Sequence, residues 1–241
     1  MTYSELKYRI RTELNFLKKK REKRTVINET INKFFIKQFL PKNPIIVDAG
    51  AHFGYDSIDW AKILPKSKIY AFEPIPDVFK KLQQLTKFNK QITCLQLALS
   101  NSNGQAKMYT SSGESDGSSS LLKPKDHLID HPNVVFNEQC EVETITLDDW
   151  AKSKNIEKVD FMWLDMQGAE LSMLMASTQI LPTIKAVHME VSLKETYENV
   201  PQYPQVRKWM EQNGFQVKIE AIPSGWDMGN VLFIRDHIAA R

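Results

Sequence analysis

The sequence is short of several things at once. It has only two cysteines in 241 residues. Cys94 and Cys140 form neither a spaced metal motif nor a disulfide framework, which fits a reducing compartment. No apolar run reaches the length of a membrane span. The first residues lack the apolar core of a signal peptide, so a cytoplasmic location is expected. Net charge is only +3, which gives no general case for nucleic-acid binding. What is present is an ordinary globular composition, 42% hydrophobic and 25% charged, which excludes fibrous and disordered classes. The length suits one well-cored domain with a modest extension.

Charge is concentrated rather than spread. Residues 7–37 are markedly basic, with a cluster at Lys18, Lys19, Lys20, Arg21, Lys23 and Arg24. Leu6, Ile10, Leu14 and Leu17 recur at helical spacing before the cluster. Ile27, Ile31, Phe34, Phe35 and Phe39 mark a second helix over about 26–40, which Pro41 and Pro44 stop. Residues 1–43 therefore read as a helical extension that covers an edge or mouth of a domain over 44–241, its basic face solvated. The sharper alternative is a clamp for an acidic substrate, or peripheral contact with an anionic membrane.

From Pro44 the chain changes character. Ile45-Ile46-Val47 is the β-branched run of a strand buried on both faces. It leads into Asp48-Ala-Gly50-Ala51-His52-Phe-Gly54, then a helical pattern through Ile58, Trp60, Ala61 and Ile63. A strand that ends in glycines and opens a helix is the nucleotide-binding turn of doubly wound α/β folds. His52 stands where a dinucleotide fingerprint has its second glycine. Asp48 at the strand tip suits a cationic ligand, such as the amino group or sulfonium of S-adenosylmethionine, and would repel a diphosphate. The next strand, Lys68–Phe72, ends in Glu73-Pro74, near the spacing expected of a ribose-binding acid. A carboxylate there accepts hydrogen bonds from both ribose hydroxyls. A helix follows from Asp77 through Leu85. Ile92–Leu99 reads as a third strand, with Ala98 to Ser100 beside the adenine.

Further on, Val159–Leu164 is a buried strand that aims Asp165 into the crevice beyond the sheet, as a base or as the cap of a helix over 168–174. Glu170 reads as a helix-start carboxylate. A strand over 185–191 carries His188 and Glu190 on one side. His188 reads as a hydrogen-bonded core residue and Glu190 as a second crevice acid. Asp165 and Glu190 are the candidate catalytic pair. A divalent metal between them is compatible, but no recognised spacing calls for one. Thr110–Ser120 is a serine-rich surface segment whose Ser118 to Ser120 could touch a ligand. Asp126, His127, Asp130 and His131 look like a metal cluster, yet their polar context favours solvent. A helix over 204–212 and strands over 215–222 and 230–234 form an antiparallel edge hairpin. Tyr203 and Trp226 could wall a sugar ring, with core packing the simpler reading.

Several ordered motifs resemble the FkbM family of methyltransferases. They are Val47–Gly54, Ala71-Phe-Glu-Pro74, Leu97-Ala-Leu-Ser100, Gly117–Leu121, Thr146-Leu-Asp-Asp149 and Leu164–Glu170. The resemblance spans about 44–191. It implies a Rossmann-like α/β class I methyltransferase fold, with a mostly parallel seven-stranded sheet and an antiparallel C-terminal edge hairpin. It also implies S-adenosylmethionine as donor and a hydroxyl of a sugar, glycan or natural product as acceptor. By match, Asp48, Gly50 and Gly54 would hold the methionine part and Glu73 the ribose. Ala51, His52, Pro74, Ala98 and Ser100 complete the candidate cofactor set. The sequence departs from the family at Trp163 and Gln167, where members often carry Lys and Glu. Two other functions stay open: a catalytically silent adenosyl-binding module, and an NAD-dependent oxidoreductase, which Asp48 and the glycine spacing disfavour.

Overall fold

The computed structural model describes residues 31–236. In chain order the elements begin α1 (Lys33–Lys37), β1 (Ile45–Ala49), α2 (Tyr55–Ile63), β2 (Lys68–Phe72), α3 (Pro76–Thr86) and β3 (Ile92–Leu95). There follow β4 (Ala98–Leu99), β5 (Gly104–Gly113), α4 (His127–Asp130), β6 (Val134–Ile145) and α5 (Leu147–Ser153). The remainder is β7 (Phe161–Leu164), α6 (Glu170–Met175), β8 (Ala186–Ser192), α7 (Tyr203–Gln212), β9 (Phe215–Ala221) and β10 (Met228–Arg235).

Seven strands make one sheet in the order β3-β2-β1-β7-β8-β10-β9. The first five in that order are parallel, and β10 is antiparallel to both of its neighbours. This is the Rossmann-like α/β arrangement expected, with its antiparallel pair at the C-terminal edge. From β1 the chain proceeds outward to β2 and β3, then returns to the other side for β7 and β8. The order therefore reverses between β1 and β7, and a crevice must open beyond their carboxyl ends.

The period-two alternation of the strands supplies two cores. Val47, Met162 and Val187 face a layer with Trp150, Leu174 and Met210. Their neighbours Ile46, Phe161 and Ala186 face the opposite layer with Trp60, Ile69 and Leu232. Residues on both faces of the central strands are fully buried, which is why those strands read as unbroken apolar runs. Trp60 meets the ring of Phe161 edge-on at 5.0 Å. Ile36 of α1 is buried in the same layer, so this helix covers the back of the sheet. Asn32 caps it by accepting from the Phe34 amide.

Three local expectations change. The third strand is not continuous to Leu99: it ends at Leu95, and Ala98–Leu99 joins a separate three-stranded sheet ordered β4-β6-β5. The serine-rich segment is partly built into that sheet, since β5 runs on to Gly113. The second helix of the extension is short within the described residues, ending at Lys37. The first helix and the cluster Lys18 to Arg24 lie outside the described residues. Among those described, no helix is long and apolar enough to cross a membrane.

Candidate functional site

A cleft of about 590 Å³ opens where the strand order reverses. Gly50, at the end of β1, has φ +77°. A Cβ at Gly50 would fall 1.8 Å from the main-chain oxygen of Asp165, so only glycine lets the turn lie this close to the chain leaving β7. One side of the cleft is an apolar slot formed by Phe72, Ile75, Val78, Leu97, Met108 and Leu121. Glu73 sits at the slot. Its Oε2 accepts from the His52 amide at 3.0 Å and its Oε1 from the Ile75 amide at 2.9 Å. Burial pushes its carboxyl up to about 7, against the pull of these hydrogen bonds. Each oxygen keeps a lone pair for a further donor.

Of the candidate cofactor residues, Gly50, His52, Glu73, Pro74 and Ala98 line the cleft. Asp48, Ala51, Gly54 and Ser100 do not. The carboxylate of Asp48 is turned beneath the loop and accepts from Ser57 Oγ at 2.5 Å. Burial, with Asp56 nearby, pushes its pKa up to about 7. The expectation that Asp48 faces a cationic ligand and repels a diphosphate is therefore corrected: it organises the turn from behind. Ala51 packs with Ala71, Phe79 and Leu82. A Cβ at Gly54 would run into Leu82 and Thr86 of α3. The Ser100 hydroxyl bonds to Asn101.

The serine-rich segment folds over the cleft. Asp116, Gly117 and Ser119 are on its wall. Asp116 Oδ1 lies 3.1 Å from His52 Nε2, and that contact holds the Asp116 carboxyl below its ordinary range. Ser119 Oγ accepts from the Ser111 amide at 2.9 Å, and Ser111 Oγ accepts from the Ser118 amide at the same length. Ser120, fully buried, donates to the main-chain oxygen of Gln167. Hydroxyls expected to meet a ligand are here largely spent on fixing the segment.

Asp165 and Glu190 come together at the floor of the crevice, although 25 positions apart in the sequence. The link is Gln167, whose Nε2 donates to Asp165 Oδ1 and to Glu190 Oε2, each at 2.8 Å. Asp165 keeps solvent contact on its open side. Protein crowding around the rest of its carboxyl raises its pKa, opposed by the Gln167 amide. Burial, then the facing Asp165 and Glu170, raise Glu190 well above the ordinary range. Asp165 does not cap α6, which has Ala169 before it and no side-chain cap. Glu170 does stand in the first turn of α6, its Oε1 accepting from the Met166 amide at 2.7 Å.

A broader trough, about 2000 Å³ to its open mouth, adjoins the cleft and shares Gly117 with it. Gln167 and Glu190 are in its floor; Ser118, His131, Asn230 and the exposed Trp226 are on its sides. Tyr203 is buried and donates to Glu220, so it forms no wall with Trp226. His127, expected in solvent, is buried against Tyr197 and Phe136. His188 is a core residue, but stacking holds it: its ring lies 3.6 Å from that of Trp163 at 6°, and Nδ1 has no hydrogen-bond partner. Burial pushes its pKa down to about 3, so it is neutral. Among the described residues, no group of three or more His, Cys, Asp or Glu could hold a metal ion. Sequence reasoning missed Asp116 and Tyr197, and saw Gln167 only as a departure. Tyr197 carries no local signal, because its hydroxyl partners lie 79 and 30 positions away, at Ser118 and Gln167.

Comparison with known proteins bears on the fold and the family. Residues 48–217 match the family model described as the methyltransferase FkbM domain. The 2-O-methyltransferase NoeI of Sinorhizobium fredii is 30% identical over 161 residues, covering 65% of this chain and 66% of that protein. The methyltransferase sdnD of Sordaria araneosa is 28% identical over 203 residues, covering 74% and 76%. The crystal structure of a fibrillarin/Nop5p complex contains a chain that superposes with TM-score 0.51 at 18% identity, covering 84% of this chain and 79% of that one. That likeness speaks to the fold alone.

Proposed function

The chain belongs to the FkbM methyltransferase family, and from that footing we propose that it moves the methyl group of S-adenosylmethionine onto a hydroxyl of a sugar, glycan or related natural product. The observation that carries this reading is the meeting of two cavities at one pair of acids. Asp165 lies on the wall of the cleft and Glu190 on the floor of the trough, with one amide between them. The cleft fits the donor chemically: an apolar slot for a purine and a buried acid with free lone pairs for ribose hydroxyls. When bound there, S-adenosylmethionine supplies an electrophilic methyl group on a sulfonium.

The chain's own part is alignment and proton handling. Gly50 keeps the turn flat enough for close approach, and Glu73 fixes the ribose. His52 and Asp116 close the segment over the cleft. Asp165 orients the acceptor hydroxyl and takes its proton as the oxygen–carbon bond forms and the sulfur–carbon bond breaks, with Glu190 assisting. The sulfonium charge is quenched in the same step, so charge and atoms balance. Resemblance to an enzyme named for 2-O-methylation supports oxygen as the acceptor atom.

The test is transfer of isotopic methyl from the donor to a panel of monosaccharides, oligosaccharides and polyols. We expect an alkali-stable label in at least one of them. Donor binding with no transfer to any hydroxyl would favour a silent adenosyl-binding module instead. With a working acceptor, Asp165→Asn should lower turnover on the order of a hundredfold while donor affinity persists.

A further inference from the structure

At the boundary between cleft and trough, one side chain touches both acids. Gln167 is buried and sits in the left-handed region at φ +53°, a conformation unfavourable for a residue with a side chain. It is followed by Gly168 at φ +101°. Besides its bonds to the acids, two contacts hold the residue there. Ser120 Oγ donates to its main-chain oxygen at 2.8 Å. The Tyr197 hydroxyl lies 2.9 Å from its Oε1 and 2.8 Å from the Ser118 oxygen, with one phenolic hydrogen serving both. With Oε1 on the Tyr197 side, Nε2 points at the acids, and its two hydrogens match the two carboxylate oxygens.

We propose that Gln167, aimed by Tyr197, is a positioning residue that holds Asp165 and Glu190 at a fixed separation and eases the repulsion between them in one crevice. Two carboxylates converging on one point normally retain a proton between them, because like charges raise one another's pKa. A neutral amide with two donors relieves that repulsion without adding charge. An acid at the same position would do the reverse, placing a third carboxylate oxygen where Nε2 now stands. The device rests on the reading of Asp165 and Glu190 as the proton-handling pair. Among the described residues, the charged or titratable groups bearing on the two acids are each other, Glu170, Asp48, Asp56, His52 and Tyr197. Glu190, Asp165 and Glu170 in turn push the Tyr197 hydroxyl up, after burial, so it remains a donor at any working pH.

The test compares Gln167→Ala, the isosteric Gln167→Glu and Tyr197→Phe in the full chain. The carboxyl carbons of Asp165 and Glu190 are followed by carbon NMR over pH, with Asp165→Asn and Glu190→Gln to assign the signals. Loss of the amide should move the titration midpoints up by about one pH unit or more. Gln167→Glu should move them at least as far in the same direction, and Tyr197→Phe less far. With a working acceptor, the acidic limb of the kcat profile should shift upward by the same interval, since the base must be ionised. The affinity for S-adenosylmethionine should stay within about twofold. Midpoints unchanged in both Gln167→Glu and Tyr197→Phe would overturn the proposal, even if Gln167→Ala fails to fold. If the wild-type protein methylates no hydroxyl, the proton-handling reading fails, while the NMR titration still decides whether Gln167 sets the two acids.

Discussion

Glu73 is the residue whose chemistry is most completely specified. It is buried, it already accepts two amide hydrogen bonds, and its carboxyl is pushed up to about 7. Ribose hydroxyls donate to the ionised form, so donor affinity should rise as pH climbs through 7 and fall below it. Calorimetric titration at pH 6 and pH 8 checks the sign; equal affinity at both would remove Glu73 from the ribose contact. Glu73→Ala should weaken binding by about 1.5–3 kcal/mol, the scale of charged hydrogen bonds. Asp48 offers a contrast. The sequence makes it equally prominent, yet its carboxylate bonds to Ser57 under the turn. Its replacement by Ala should cost folding stability before it costs affinity in the variant that remains folded. What makes the two acids differ is side-chain direction, which no linear motif reports.

At the scale of elements, the strand–turn–helix units were legible because propensity and burial agree in them. Lys68–Phe72 was expected as a strand and is one. The pattern from Ile58 to Ile63 belongs to α2. The small sheet of β4, β5 and β6 was not legible, because its strands are half-exposed and rich in serine, glutamate and glutamine. Their stability comes from pairing over 21 to 46 positions, as in Gly113 with Val134 and Ala98 with Thr144. The start of α6 carries its own test. Glu170 is buried, and burial raises its pKa to about 7. A carboxyl raised above its unfolded value contributes stability below the unfolded pKa and loses it as pH rises through the folded one. Glu170→Gln keeps an acceptor for the Met166 amide and removes that loss. Stability should therefore decline less between pH 5 and pH 8.5 in the variant, by at most on the order of 3 kcal/mol. Identical declines in denaturant titrations of the two proteins would refute the assignment.

Across the whole molecule, the cleft and the trough are adjoining spaces that share Gly117, with Asp165 lining the first and Glu190 the second. Trp226, 62% exposed on the loop before β10, stands on the trough side alone. Trp226→Ala should raise the KM of a ring-bearing acceptor about three- to tenfold, the range of one aromatic contact. The affinity for the donor should not move. A parallel loss of both would mean that the loop supports the fold rather than the acceptor, and steady-state kinetics with varied acceptor separates these outcomes.

The sequence by itself marked the central strands and singled out the acids Glu73, Asp165 and Glu190 on or just after them, while the seven-stranded arrangement came only from the family resemblance. It could do so because buried strands are apolar runs, and because an acid at the end of such a run has few places to go. Only the tertiary structure decided which acids face the cleft and which lie behind it. It alone brought Asp116 over from the serine-rich segment to His52, and set Tyr197 against Gln167. Those contacts join residues far apart in the chain through polar side chains with no period of their own. Their partners are fixed by how the loops cross the carboxyl ends of the sheet.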